Sequence, residues 1–294
     1  MRPLLAPAVI LALLGCFQKA GTTSDEHADH AATTGAASAP QAPAGLPPGA
    51  ADAESRIQAS PRHGEWVAIR TSPADSVMAW VVYPERKTKA PVVVVVHEIF
   101  GLSNWVRGVA DQLAADGFIA IAPDLLTMKR GGNLTSEWAA DSARAVIRTL
   151  RSEDVHRDVS AVAKYGMGLP AATPKYGVVG YCWGGSTVFE HAVVAPSLGA
   201  SVVYYGGSPA SERLATVRAP VLGLYGGDDA RVNATIPAAD STMKALGRSF
   251  EHHEFAGAGH GFLRNQTGNN GANLEATRQA WPKTIAFFRK HLGT

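Results

Sequence analysis

The sequence predicts an α/β domain whose mostly parallel sheet is covered by helices on both faces, and three observations carry that prediction. Residues Val92 to Val96 are consecutive valines, a run that suits only a strand buried on both faces. From residue 77 onward, strand-like apolar segments alternate with helix-like ones, the order that right-handed crossovers convert into a parallel sheet. The segment Tyr176 to Gly180 then runs straight into the glycine-rich stretch Tyr181, Cys182, Trp183, Gly184, Gly185, which marks a sharp strand-to-helix turn.

The elements follow in order. Residues 1–15 carry a single early positive charge and an apolar run from Leu4 to Leu14, too short to span a bilayer as a helix and of the length of a signal peptide's apolar region. Leu13, Leu14, Gly15 and Cys16 resemble the lipobox of bacterial lipoproteins, which implies cleavage before Cys16, its acylation, and export. With Phe17 rather than Asp next, the outer membrane facing the periplasm is the implied destination. Residues 16–61 are rich in Ala, Gly, Thr, Ser and Pro with no large apolar run. The expectation is a flexible tether from the lipidated Cys16 to a domain spanning 62–294.

Within that domain, strands are expected at Val77–Tyr83, Pro91–His97, Phe118–Ala122, Tyr176–Gly180, Ala200–Tyr205, Val221–Tyr225 and Phe250–Phe255. Helical periodicity covers Val106–Asp116, Ser136–Gly166, Ser186–Ala195, Ala238–Leu246 and Leu274–Leu292. In sheets of this kind the chemistry gathers at the carboxyl ends of the strands.

Composition excludes several classes. The 294 residues carry 27 Lys+Arg against 25 Asp+Glu, a formal charge of +2, with no long basic block, so no nucleic-acid surface is expected. Two cysteines build neither a disulfide framework nor a cysteine zinc site, and no C-x-x-C pair supports a thiol redox protein. No metal or cofactor is expected.

Gly180, Cys182 and Gly184 fit the pattern glycine-x-nucleophile-x-glycine, in which the glycines leave room for a turn that lifts the nucleophile above the sheet. The following helix adds a positive N-terminal field that favours a thiolate. A buried, inert cysteine in a glycine-rich turn is the competing reading. A hydrolase of this arrangement needs an acid and then a histidine later in the chain. Asp229 or Asp228, after Val221–Tyr225, supplies the acid, with Asp229 the better fit because it stands three before Val232. His260, in the Gly-rich loop after Phe250–Phe255, supplies the histidine. Trp183, just after the nucleophile, and Ile99, after the valine strand, offer backbone N–H groups for an oxyanion hole.

The segments His97–Gly101 (HEIFG), Gly180–Gly185 (GYCWGG), Gly227–Val232 (GDDARV) and Gly257–Phe262 (GAGHGF) resemble, in order, the motifs of the dienelactone hydrolase family of α/β-hydrolases. The resemblance implies the α/β-hydrolase fold and hydrolysis of a small ester or lactone through a cysteinyl acyl-enzyme. It implies Cys182 as nucleophile, His260 as base and acid, Asp229 as orienting carboxylate, and Glu98 as the group that holds the thiol neutral. Arg264 matches the family's carboxylate-binding arginine, which implies a preference for anionic substrates. The family's other arginine falls on Met128, with Lys129 and Arg130 adjacent as stand-ins. A degenerate hydrolase fold serving as a surface binding module is the alternative, since fold alone does not fix function.

Overall fold

Alternate valines of the central strand face opposite cores. In the computed structural model, which describes residues 44–130 and 140–293, Val93 and Val95 join one apolar cluster while Val92, Val94 and Val96 join the other. That is the period-2 pleat of a strand with no solvent face.

Eight strands form one sheet: β1 (Gly64–Arg70), β2 (Ser76–Val82), β3 (Ala90–Val96), β4 (Ile119–Asp124), β5 (Ala172–Tyr181), β6 (Ala200–Tyr204), β7 (Val221–Gly226) and β8 (Phe250–Phe255). Their spatial order is β1-β2-β4-β3-β5-β6-β7-β8. The β1–β2 and β2–β4 pairs are antiparallel and the rest are parallel. Helices α2 (Asn104–Ala115) and α8 (Ala272–Leu292) cover one face through Trp105, Val109, Trp281 and Phe288. On the other face lie α4 (Ser152–Met167) and α5 (Trp183–Val194), through Val155, Val159, Val188 and Phe189. The predicted α/β fold with a mostly parallel sheet is therefore the fold observed.

Four details depart from the sequence reading. Strand β1 was not expected. It is an edge strand with Glu65 and Arg70 in it and Trp66 exposed, so its alternation is diluted by solvent-facing positions. The long helix expected over Ser136–Gly166 is two helices, α3 (Ala140–Ile147) and α4; the first four of those residues lie outside the described ones. Thr149 and Leu150 close α3 by donating to the carbonyls of Val146 and Ile147, and Arg151 is extended (φ −84°, ψ 134°), which resets the helix axis. Helix α5 starts at Trp183, three residues earlier than expected, with Gly184 and Gly185 inside its first turn.

The fourth departure is the domain boundary, which falls before residue 62. Leu46 and Ala53 are buried, and α1 (Ala53–Gln58) lies against α2. The carbonyls of Leu46, Pro47 and Pro48 accept hydrogen bonds from Arg56, Gln266 and Trp105 at 2.9 to 3.0 Å. Apart from Leu46, this stretch docks through backbone acceptors and small or cyclic residues: a Cβ on Gly108 would meet the Pro48 ring at 2.5 Å. Cys16 and the expected signal peptide lie outside the described residues.

Candidate active site

Because β3, β5, β6, β7 and β8 are parallel, the loops after them share one edge of the sheet. Cys182 follows β5 with φ 56° and ψ −115°, a conformation that costs an L-residue about 1–3 kcal/mol and persists only when its surroundings impose it. Here they do. The Cys182 N–H donates to the Tyr204 carbonyl at 3.0 Å, and its carbonyl accepts from the Ser186 N–H at 3.1 Å. A Cβ on Gly180 would overlap the Gly184 carbonyl, and one on Gly184 would overlap the carbonyls of Val96 and His97. The glycine-x-cysteine-x-glycine spacing is thus a steric requirement of the turn.

Cys182 lines a cavity of about 280 Å³ with Ile99, Trp183, Ser186, Arg231 and His260. His260 stands at the loop after β8 with Nδ1 2.5 Å from Asp229 Oδ2. Asp229 is buried and caps α6 (Ala230–Asn233), its Oδ1 accepting from the Val232 N–H at 3.4 Å. Asp228 is exposed and contributes only its backbone N–H, to the Ala258 carbonyl. Asp229, not Asp228, is therefore the carboxylate on His260. That contact places the ring proton on Nδ1 and leaves Nε2 as the basic nitrogen. Tyr205 packs edge-on against the His260 ring at 5.2 Å.

The electrostatics around the thiol are mixed. Burial pushes the Cys182 thiol up, the Trp183 N–H pulls it down, and Glu98 pushes it up again against the pull of Arg231. Glu98 is buried, and that burial raises its carboxyl to about 7 against the attraction of Arg264 and Arg144. Arg264 Nε lies 2.7 Å from Glu98 Oε1, although its N–H is not aimed along that line, so the contact is an ion pair without an aligned hydrogen bond.

Sequence reasoning missed three neighbours of this site. His97 Nε2 accepts from the Leu125 N–H at 3.3 Å, so Nδ1 carries the proton and donates to the Glu98 carbonyl at 2.8 Å. Gly101 N–H donates to the same carbonyl. A trans peptide points its C=O and N–H in opposite directions, so pinning that carbonyl fixes the direction of the Ile99 N–H. The placement of His97 at the carboxyl end of β3 was a signal for such a role. Tyr205, with φ 40°, gave no signal.

Arg144 on α3 is the third. Its guanidinium and that of Arg264 both lie against the Phe100 ring, at 5.0 and 4.7 Å. Met128 and Lys129, by contrast, line a separate cavity of about 210 Å³ with Asp75 and Arg157. Lys129 is therefore not the stand-in beside Glu98, and the side chain of Arg130 lies outside the described residues. Among the described residues no group of three or more His, Cys, Asp or Glu is placed to hold a metal ion.

A mostly parallel sheet carrying a strained strand-to-helix elbow, with acid and histidine loops after later strands, defines an α/β-hydrolase domain. The match to the dienelactone hydrolase family model spans residues 77–292, and the chain belongs to that family. It is 28% identical over 243 residues to a Yersinia pestis protein assigned as a carboxymethylenebutenolidase, covering 78% of this chain and 90% of that one. A Klebsiella pneumoniae structure assigned as a dienelactone hydrolase superposes with a TM-score of 0.69 at 25% identity, over 78% of this chain and 99% of the other. The dienelactone hydrolase of Anabaena variabilis shares the fold, with a TM-score of 0.60 at 20% identity over 78% and 98% of the two chains. The protein is accordingly an ester- or lactone-hydrolysing enzyme.

Proposed function

We propose that this enzyme cleaves small carboxylic esters or lactones through a cysteinyl acyl-enzyme, with Cys182, His260 and Asp229 as its working groups. The observation that carries the reading is one cavity shared by the strained Cys182 and by His260, whose ring is held by buried Asp229. His260 Nε2 takes the thiol proton and Sγ attacks the substrate carbonyl carbon. The oxyanion of the tetrahedral intermediate is received by the N–H groups of Trp183 and Ile99, the first a helix-start donor with no intrahelical partner. Collapse expels the alkoxide, which takes the proton from His260. Water, deprotonated by His260, then attacks the thioester; collapse breaks the C–S bond, the Cys182 thiolate takes back the proton from His260, and the acid leaves.

Glu98 gives this cycle a resting state. Its carboxylate raises the thiol, so Cys182 rests protonated until an arriving substrate carboxylate displaces Glu98 from its place. The favoured substrates therefore carry an acidic group. In the same reading Cys16 is acylated and holds the enzyme at a membrane surface, the outer membrane facing the periplasm, which leaves the domain free to meet small diffusing substrates.

The test is hydrolysis of p-nitrophenyl acetate by the wild type and by Cys182→Ala, with mass spectrometry of the quenched enzyme. An acetyl group on the Cys182 peptide and loss of turnover in the variant are expected. A Cys182→Ala enzyme that still turns over rejects the nucleophile.

A further inference from the structure

We propose that Arg231 reads the charge of the substrate: its guanidinium, on the α6 rim of the cavity, pairs with a carboxylate carried by the ester or lactone. The inference rests on the reading of Cys182 as the reactive thiol and adds a specificity-determining residue to it.

The arginines near the site are in different states. Arg264 is engaged with Glu98 and with the Phe100 ring, and Arg144 with Asp141 and the same ring. Neither is among the residues that line the cavity with Cys182. Arg231 does line it, is exposed, and has no hydrogen bond, ion pair or aromatic stack with any described residue. Its two acidic neighbours in sequence do not neutralise it: Asp229 is spent on His260 and the Val232 N–H, and Asp228 turns to solvent.

Position adds to availability. Arg231 sits in the first turn of α6, two residues after the aspartate held against His260, and the capping bond from the Val232 N–H to Asp229 fixes that turn. The backbone that carries Arg231 is thereby fixed beside both His260 and Cys182. The rest of the cavity wall, Ile99, Trp183, Ser186, Tyr205, Gly207, Val232 and His260, holds no carboxylate. Among the described lining residues Arg231 is the one permanent cation, and its charge acts on the thiol against those of Glu98 and Asp229 behind the wall. The thiol already responds to it, because Arg231 draws the Cys182 thiol down against the effect of burial.

The experiment compares two alkylating reagents on the full-length enzyme. Iodoacetate and iodoacetamide both transfer a two-carbon group to the thiolate with loss of iodide, and only iodoacetate brings a carboxylate. The readout is the ratio of their second-order rate constants at Cys182, measured at low ionic strength. A change in thiol acidity alone moves both rates together and leaves the ratio alone. In Arg231→Gln the ratio should fall about fivefold, the upper end for an ion pair that reaches water. Arg231→Lys should keep most of the wild-type ratio. Lys129→Gln, whose lysine lines the other cavity, should keep it all, and added salt should lower it in the wild type.

An unchanged ratio in Arg231→Gln overturns the assignment, whatever Arg264→Met does to it. The assay reads the thiol without any ester being cleaved. A failure of the Cys182 mechanism, seen as turnover by Cys182→Ala, is therefore distinguishable from a failure of Arg231 to bind anions.

Discussion

Arg264 Nε stands 2.7 Å from Glu98 Oε1, and the two partners of this pair face different media: the arginine side chain is 36% exposed and the glutamate 4%. Water can solvate one end of the pair when it opens, but not the other. Burial already lifts the Glu98 carboxyl to about 7, so near neutral pH the carboxyl is protonated in a large share of molecules and leaves the guanidinium without a charged partner. Such a pair is weak on the side that matters for exchange. A solute carboxylate can reach Arg264 from solvent and replace a partner that is as easily protonated as ionised.

The proposed selectivity for acidic substrates rests on that exchange. If Arg264 receives a substrate carboxylate, the charged hydrogen bonds it forms favour acidic esters or lactones by roughly 1.5 to 3 kcal/mol. The ratio of kcat/KM on an acidic ester to that on its neutral analogue should therefore fall about 10- to 100-fold in Arg264→Met. Parallel losses on both substrates would make the arginine a structural partner of Glu98 and nothing more.

The acid on His260 gives a sharper contrast. Asp229→Asn should lower kcat by on the order of 10³-fold or more, because the amide lets the imidazole turn to the wrong tautomer. Asp228→Asn should change kcat by less than about twofold, since that side chain is exposed and makes no contact with the ring. Steady-state kinetics on one neutral ester decide the matter. A larger loss in Asp228→Asn would mean that the ring changes partner in the working enzyme.

Much of this site was legible in the sequence for steric reasons. Gly180, Gly184 and Cys182 stand at fixed spacing because a Cβ at either glycine would collide with backbone. Asp229 and His260 sit in loops that begin where parallel strands end, so their chain positions already imply their meeting place. The central strand announced itself because both of its faces are apolar. What stayed hidden has no local signature. Arg144 lies on the polar side of an ordinary amphipathic helix, and its approach to Phe100 depends on where α3 sits relative to the β3 loop. The docked segment around Leu46 to Ala53 uses prolines, alanine and backbone carbonyls, a composition shared with unstructured chain. Edge strand β1 carries charged residues among its apolar ones, so its period is broken.

Export and anchoring are testable apart from catalysis. Cys16 follows the apolar run Leu4 to Leu14, and two or more acyl chains give stable membrane attachment where a single chain does not. The mature N-terminal peptide should begin at Cys16 and carry acyl chains by mass spectrometry. Cys16→Ser should move the enzyme from the membrane pellet to the soluble fraction. An unmodified Cys16, or a retained Met1, would rule out the anchor.

The last prediction concerns how Glu98 ties stability to pH. In the unfolded chain its carboxyl titrates near the ordinary 4.5, while in the folded protein burial raises it to about 7. Between these values the folded state holds a proton that the unfolded state has released. Stability must then fall as pH rises through that interval, opposite in sign to the usual salt-bridged carboxylate. The contribution is fully present below about 4.5 and is lost as pH passes 7. Its ceiling is about 3 kcal/mol, from the gap between the two values at about 1.4 kcal/mol each. Glu98→Gln cannot titrate and keeps nearly the same volume, so it should lack this slope. Urea denaturation of both proteins at pH 5, 6, 7 and 8 measures the effect as a difference. The wild type should lose stability relative to Glu98→Gln by roughly 1 to 3 kcal/mol across that range. Parallel curves would mean that Glu98 stays ionised at its place beside Arg264, and that the resting thiol faces a permanent negative charge.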